Sequence, residues 1–209
     1  MSIIINVNTS WLFDNLKCEG QQCLLLQSDR LSVLTLVEDT GVLLSHWYPE
    51  IGPSKNACGI HAWTISDEFH MAIIQATAKR VNIMLDIEND QLVVVSDDDY
   101  EFHFVEQDIH IDSCQSWELE HTEILLNVEY EYNVFKEIIS AHDAPLTIPA
   151  AGFERAIKQS GASITVNPKT VLTLLDSFCS HGEFIAVHIL KSEILRIVSN
   201  DNVGYIKHS

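Results

Sequence analysis

Three stretches of this 209-residue chain carry one internal pattern. Residues 2–48, 59–105 and 162–206 each predict a strand, a capped helix and three further strands joined by tight turns. The helix starts follow β-rich runs at Val7-Asn8-Thr9-Ser10-Trp11-Leu12, Ile65-Ser66-Asp67-Glu68-Phe69 and Val166-Asn167-Pro168-Lys169-Thr170-Val171. The last turns fall at Glu38-Asp39-Thr40-Gly41, Ser96-Asp97-Asp98-Asp99 and Ser199-Asn200-Asp201-Asn202. From cap to last turn the offsets are 31 (Asn8 to Asp39), 32 (Ser66 to Asp98) and 34 (Asn167 to Asp201). One supersecondary unit is therefore used repeatedly, and it must bury its apolar face against copies of itself.

Local chemistry supports each unit. Asn8, Thr9 or Ser10 suits the cap of a helix over about 9–19. Ser66 caps a helix over 66–80, with Asp67 and Glu68 at its positive end and Phe69, Ala72, Ile73 and Ala76 on its core face. Pro168 after Asn167 opens a helix over 167–180, with Val171, Leu174, Leu175 and Phe178 inward and Gly182 as a stop. Residues 107–161 break the pattern. There 118–132 reads as strand, 133–142 as helix, 146–148 as a short strand and 149–160 as a helix opened by Pro149. The segment is either a fourth unit with altered order or a departure from the repeat.

Charge narrows the partners. Twelve Lys and Arg against thirty Asp and Glu give a formal charge of −18. That sign disfavours nonspecific contact with nucleic acid or anionic membranes and favours basic partners. The predicted helices hold seven basic and seven acidic residues, so strands and loops carry the whole excess. Helix propensity alone supplies part of that bias. Five scattered cysteines without a C-x-x-C pair read as reduced thiols. No membrane span and no basic, apolar leader is evident, so a cytoplasmic protein is expected.

A strand–helix–three-strand unit used twice per domain resembles the DNA sliding clamp family of polymerase processivity factors. The resemblance rests on element order over about 140 of the 209 residues. It implies an α+β fold of βαβββ units in two domains, with outer sheets and inner helices. Residues 1–107 would form one domain of two units, and 108–209 a second domain whose first half is irregular. It further implies a homotrimer, since such rings contain six domains. That ring would encircle double-stranded DNA without reading sequence, tether a DNA polymerase and be opened by a clamp loader, with no cofactor and no catalysis. Lys17, Lys79, Arg80, Arg155, Lys158 and Lys169 are the candidate DNA-facing residues. Residues 106–117 lie where a connector between domains is expected, beside which family members bind short hydrophobic peptides. The competing expectation is an acidic, non-enzymatic interaction or inhibitor protein on a clamp-like fold, which binds a basic protein partner.

Other motifs point to structure more than chemistry. Asp108, His110 and Asp112 share one face of a predicted strand and suggest a metal, but the alternation equally suits a solvated edge strand with buried isoleucines. Cys179 and His181 end a helix, and a neighbouring Cys and His rarely meet as a catalytic pair. Asp97-Asp98-Asp99 suits a hairpin turn. Trp11, Trp47, Trp63 and Trp117 with Tyr48 suit either a core or a partner-binding hot spot. No P-loop, G-x-G-x-x-G, G-x-S-x-G or H-E-x-x-H occurs.

Overall fold

The structure, a computed structural model, describes residues 2–16, 22–26, 30–37, 41–48, 61–75, 80–86, 91–96, 101–105, 123–148, 161–178 and 181–207. The first predicted unit is β1 (Ser2–Asn8), α1 (Thr9–Leu16), β2 (Gln22–Leu26), β3 (Leu31–Val37) and β4 (Gly41–Trp47). The second is β5 (His61–Thr64), α2 (Asp67–Gln75), β6 (Arg80–Asp86), β7 (Gln91–Ser96) and β8 (Glu101–Val105). The last is β11 (Ile164–Val166), α4 (Pro168–Asp176), β12 (Phe184–Leu190), β13 (Ile194–Ser199) and β14 (Asn202–Lys207). All three keep the expected order. Between them lie β9 (Ile124–Glu131), α3 (Tyr132–Ser140) and β10 (Leu146–Ile148). The helix expected over 149–160 falls outside the described residues.

The chain divides into two compact units, one of residues 1–18, 22–34 and 45–116, the other of residues 19–21, 35–44 and 117–209. In the first, β1 does not join the strands of its own repeat. It pairs antiparallel with β6, from Ser2 opposite Asp86 to Asn8 opposite Arg80, in the order β1–β6–β7–β8. Reciprocally, β5 pairs with β2, from Cys23 opposite Thr64 to Leu26 opposite His61, in the order β5–β2–β3. The two repeats exchange their leading strands. The second unit repeats the exchange: β9 pairs with β12 at the edge of the order β4–β14–β13–β12–β9, and β11 pairs with β10. The irregular quarter thus keeps its leading strand, its helix and the first strand after it.

One core serves both repeats of the first unit. Ile5 and Val7 of β1, Leu12 and Leu16 of α1, Leu24 of β2, Trp63 of β5, Phe69 and Ile73 of α2 and Val94 of β7 form a single buried cluster. Burying a Leu, Ile or Phe side chain stabilises by about 1.5–3 kcal/mol, so neither repeat keeps its share of the core without the other. In the second unit Phe135 and Ile139 of α3 and Val171, Leu174 and Leu175 of α4 are buried with Ile185, Val187 and Ile189 of β12.

Three helices start at the caps expected from sequence. The Asn8 side-chain oxygen accepts from the Ser10 and Trp11 amides at 2.8 and 3.2 Å. Ser66 Oγ accepts from the Phe69 amide at 3.2 Å, and Asn167 Oδ1 from the Lys169 amide at 2.9 Å. The fourth start, α3, has no side-chain cap. Its Tyr132 amide donates to the Glu183 carbonyl at 2.8 Å, and its phenol donates to the Leu175 carbonyl at 2.9 Å.

Two helix ends differ from expectation. The helix expected to reach residue 80 is described to Gln75, and Arg80 is already paired in a sheet, opposite Asn8. Strand pairing overrides the helix propensity of arginine there. The helix expected to reach residue 180 ends at Asp176, before the expected stop at Gly182. The Ser177 hydroxyl takes the Thr173 carbonyl at 2.7 Å, and its backbone N–H closes the last turn.

Glycine at 204 is a packing requirement. A Cβ there meets Leu174 Cδ2 at 2.3 Å and Cγ at 2.9 Å, so the Leu174 side chain of α4 fills the space a side chain on β14 would need. Gly204→Ala is expected to destabilise the protein by about 1–3 kcal/mol through overpacking. Leu174→Ala in the same chain should recover part of that loss, a size exchange read by urea denaturation of both single variants and the double.

Candidate nucleic-acid and partner surfaces

The residues expected to face DNA do not form one described cluster. Lys169 is exposed at the second position of α4. Arg80, expected on a helix, opens β6. Lys17, Lys79, Arg155 and Lys158 lie outside the described residues. The described helices hold Lys136 and Lys169 against Asp14, Asp67, Glu68, Glu137 and Asp176. That balance is acidic, so the neutral balance expected from sequence depends on residues beyond these helices. Lys136 of α3 is itself bound to Asp176 at the end of α4. This hydrogen bond raises the Lys136 pKa, and the pair offers little net charge to a phosphate. Glu68 is held below the usual carboxylate range by hydrogen bonds from its own backbone N–H and from Ser66. It therefore keeps its charge at the start of α2.

A second surface emerges from strand register in the second unit. Gly204 faces α4, so its cross-strand row of Ile197, Val187 and Val128 lies on the helix side of the sheet. The adjacent row, Asn127, His188, Arg196 and Tyr205, lies on the opposite face. Arg196 Cζ stands 5.9 Å from the centre of the Tyr205 ring. On this outer face Leu190, Ile194, Val203 and Tyr205 form a buried cluster with Leu44 and Val198 packed against it. Sequence reasoning missed this row. The four residues come from four strands, and only the register aligns them.

His188 sits within that row, buried, and its Nδ1 has no hydrogen-bond partner among the described residues. Burial, then the charge of Arg196, holds its pKa below the ordinary value of 6.5. The neutral ring is the form the fold accommodates.

The other candidates divide. Trp63 is core. Trp11 and Trp47 pack on each other with ring centres 5.4 Å apart, and Trp47 Nε1 donates to the Asn6 carbonyl. Tyr48 remains exposed. His181 lies flat on Tyr132 with ring centres 3.8 Å apart, which gives it a packing role at the start of α3. Cys179, Trp117, Asp97 to Asp99 and the Asp108, His110, Asp112 set lie outside the described residues. No group of three metal-ligating side chains converges among the described residues, and none of the described helices is long and apolar enough to cross a membrane.

A pH test follows from His188. A folded-state pKa below the unfolded value gives stability that is present above pH 6.5 and lost as pH falls through the folded pKa. Urea denaturation at successively lower pH should show wild-type stability falling below pH 6.5. His188→Gln should lose one proton's share of that slope, up to about 1.4 kcal/mol per pH unit. Parallel curves for the two proteins would contradict the assignment.

No protein-family model matches the chain, and no curated protein matches it in sequence. Solved structures do match over nearly its whole length. The DNA polymerase sliding clamp from Pseudomonas aeruginosa superposes with a TM-score of 0.67 at 12% identity, covering 99% of this chain and 64% of that one. The beta sliding clamp from C. crescentus gives 0.67 at 11%, covering 100% and 65%. The DNA polymerase III beta subunit from Thermotoga maritima gives 0.61 at 12%, covering 99% and 64%. The chain spans about two thirds of the length of the clamps it matches. Strand exchange, element order and these superpositions agree on one conclusion: the chain has the α+β fold of the DNA sliding clamps.

Proposed function

We propose that the protein is a sliding-clamp-like processivity factor that encircles duplex DNA and tethers a DNA polymerase and other replication proteins. The observation that carries this reading is the exchange of leading strands between repeats, found in both units of a chain that superposes on polymerase clamps. Its role is mechanical and electrostatic, with no bond made or broken. Topology supplies persistence on DNA, so phosphate contacts by long Lys side chains need only be weak, mobile and screened by salt. Two domains divided near residue 107 require three subunits to make a six-domain ring, loaded onto DNA by a clamp loader in the cytoplasm. Lys17, Lys79, Arg80, Arg155, Lys158 and Lys169 are the residues proposed to face the duplex.

A second reading has one specific observation in its favour. The described helices are acidic, and Lys136 is occupied by Asp176. That surface suits an acidic interaction or inhibitor protein on the clamp fold, whose partner is a basic protein.

Retention on closed circular DNA separates the two. With a loader present, the protein is expected to stay on closed circles and to leave linear DNA from its ends. Lys79→Glu with Arg80→Glu moves the local balance by four charges beside the phosphates and should weaken retention while leaving the sedimenting trimer intact. A monomer by sedimentation at micromolar concentration, with no retention on circles, would overturn the ring and leave the basic-partner reading.

A further inference from the structure

We infer that the exposed face of α2 docks a basic amphipathic helix of a protein partner. This rests on the second reading above and names the surface and the partner chemistry. Helix α2 is apolar on two sides. Phe69 and Ile73 enter the core of the first unit. Asp67, Met71 and Ile74 follow one another at helical spacing down the opposite side, where Met71 is 50% and Ile74 49% exposed. A single exposed apolar residue is ordinary on a surface, but here two lie one turn apart on a helix of nine residues. Nearby, Phe13 of α1 is half-buried, with its ring centre 6.4 Å from that of His70.

Charge selects the occupant. Asp67 and Glu68 lie one turn before Met71, and Asp14 is exposed on α1. Among the described residues of α1 and α2 there is no Lys or Arg. A polyanion is repelled by that set, and a segment carrying Lys or Arg gains an attraction to it that a neutral apolar segment does not. The complement is a segment with two apolar anchors one turn apart, flanked by Lys or Arg. A helix provides that spacing directly. Methionine adapts its shape to such an anchor.

The test uses the full chain and a labelled Leu–Lys amphipathic peptide of roughly 18 residues, long enough to form a helix on binding. A scrambled peptide of the same composition is the control, and anisotropy is read at about 0.15 M salt. The amphipathic peptide is expected to bind and the scrambled one to bind weakly. Met71→Ser with Ile74→Ser should weaken binding about tenfold or more. Asp67→Asn with Glu68→Gln should weaken it and flatten its salt dependence, and circular dichroism melts establish that both variants fold. If the serine variant binds the peptide as wild type does, the basic-partner reading stands and this face is wrong. Equal binding of amphipathic and scrambled peptides keeps the basic-partner reading and overturns this inference, and binding of neither overturns both. Self-association of the wild type that the serine variant abolishes would make a second copy the occupant and also overturn the inference.

Discussion

The fold depends on strand exchange. Each repeat supplies a helix and hydrogen-bonded strands, but the strand that opens it lies in the sheet of its neighbour. A leading strand left unpaired exposes a row of backbone donors and acceptors together with its apolar side chains. Ile5 and Val7 of β1 reach full burial only because β1 is seated beside β6 and over residues of both helices. The repeats of the first unit therefore share one core and should fold together. The second unit obeys the same rule among its described strands, through β9 with β12 and β10 with β11.

This constraint also explains how a fold persists at 11–12% identity. Strand pairing uses backbone groups, and the core asks only for apolar side chains at set positions and small residues at close approaches. Gly204 under Leu174 is one such approach. Nothing in the exchange specifies surface charge. The described helices accordingly carry five carboxylates against two lysines without disturbing the exchange.

Local chemistry made much of the architecture legible in sequence. Asn8, Ser66 and Asn167 announce three helices because each cap is a contact within three residues. Alternating apolar residues mark most of the strands, whereas the strand expected over 118–132 is described only from Ile124 to Glu131. What sequence does not carry is partner choice. Nothing in Ile3-Ile4-Ile5 says that it pairs with residues 83–85 and not with its own repeat. The start of α3 was equally opaque, because its amide and phenol bond to carbonyls at residues 183 and 175. Arg80 was misplaced on a helix for the same reason, since its pairing with Asn8 is a long-range fact. The row of Asn127, His188, Arg196 and Tyr205 depends on register across four strands, so no spacing along the chain could have revealed it.

The exchange is tested most directly where the repeat is least regular. Thr147 of β10 and Thr165 of β11 are cross-strand partners with hydroxyl oxygens 3.1 Å apart. Cysteines at both positions suit disulfide geometry, and the exposed site tolerates the change. Under mild oxidation Thr147→Cys with Thr165→Cys should form that one bond in high yield, seen by mass spectrometry of the digested protein. The melting temperature should hold or rise. If the two thiols stay free while the protein remains folded, β11 does not pair with β10, and the exchanged-strand account of the second unit is contradicted.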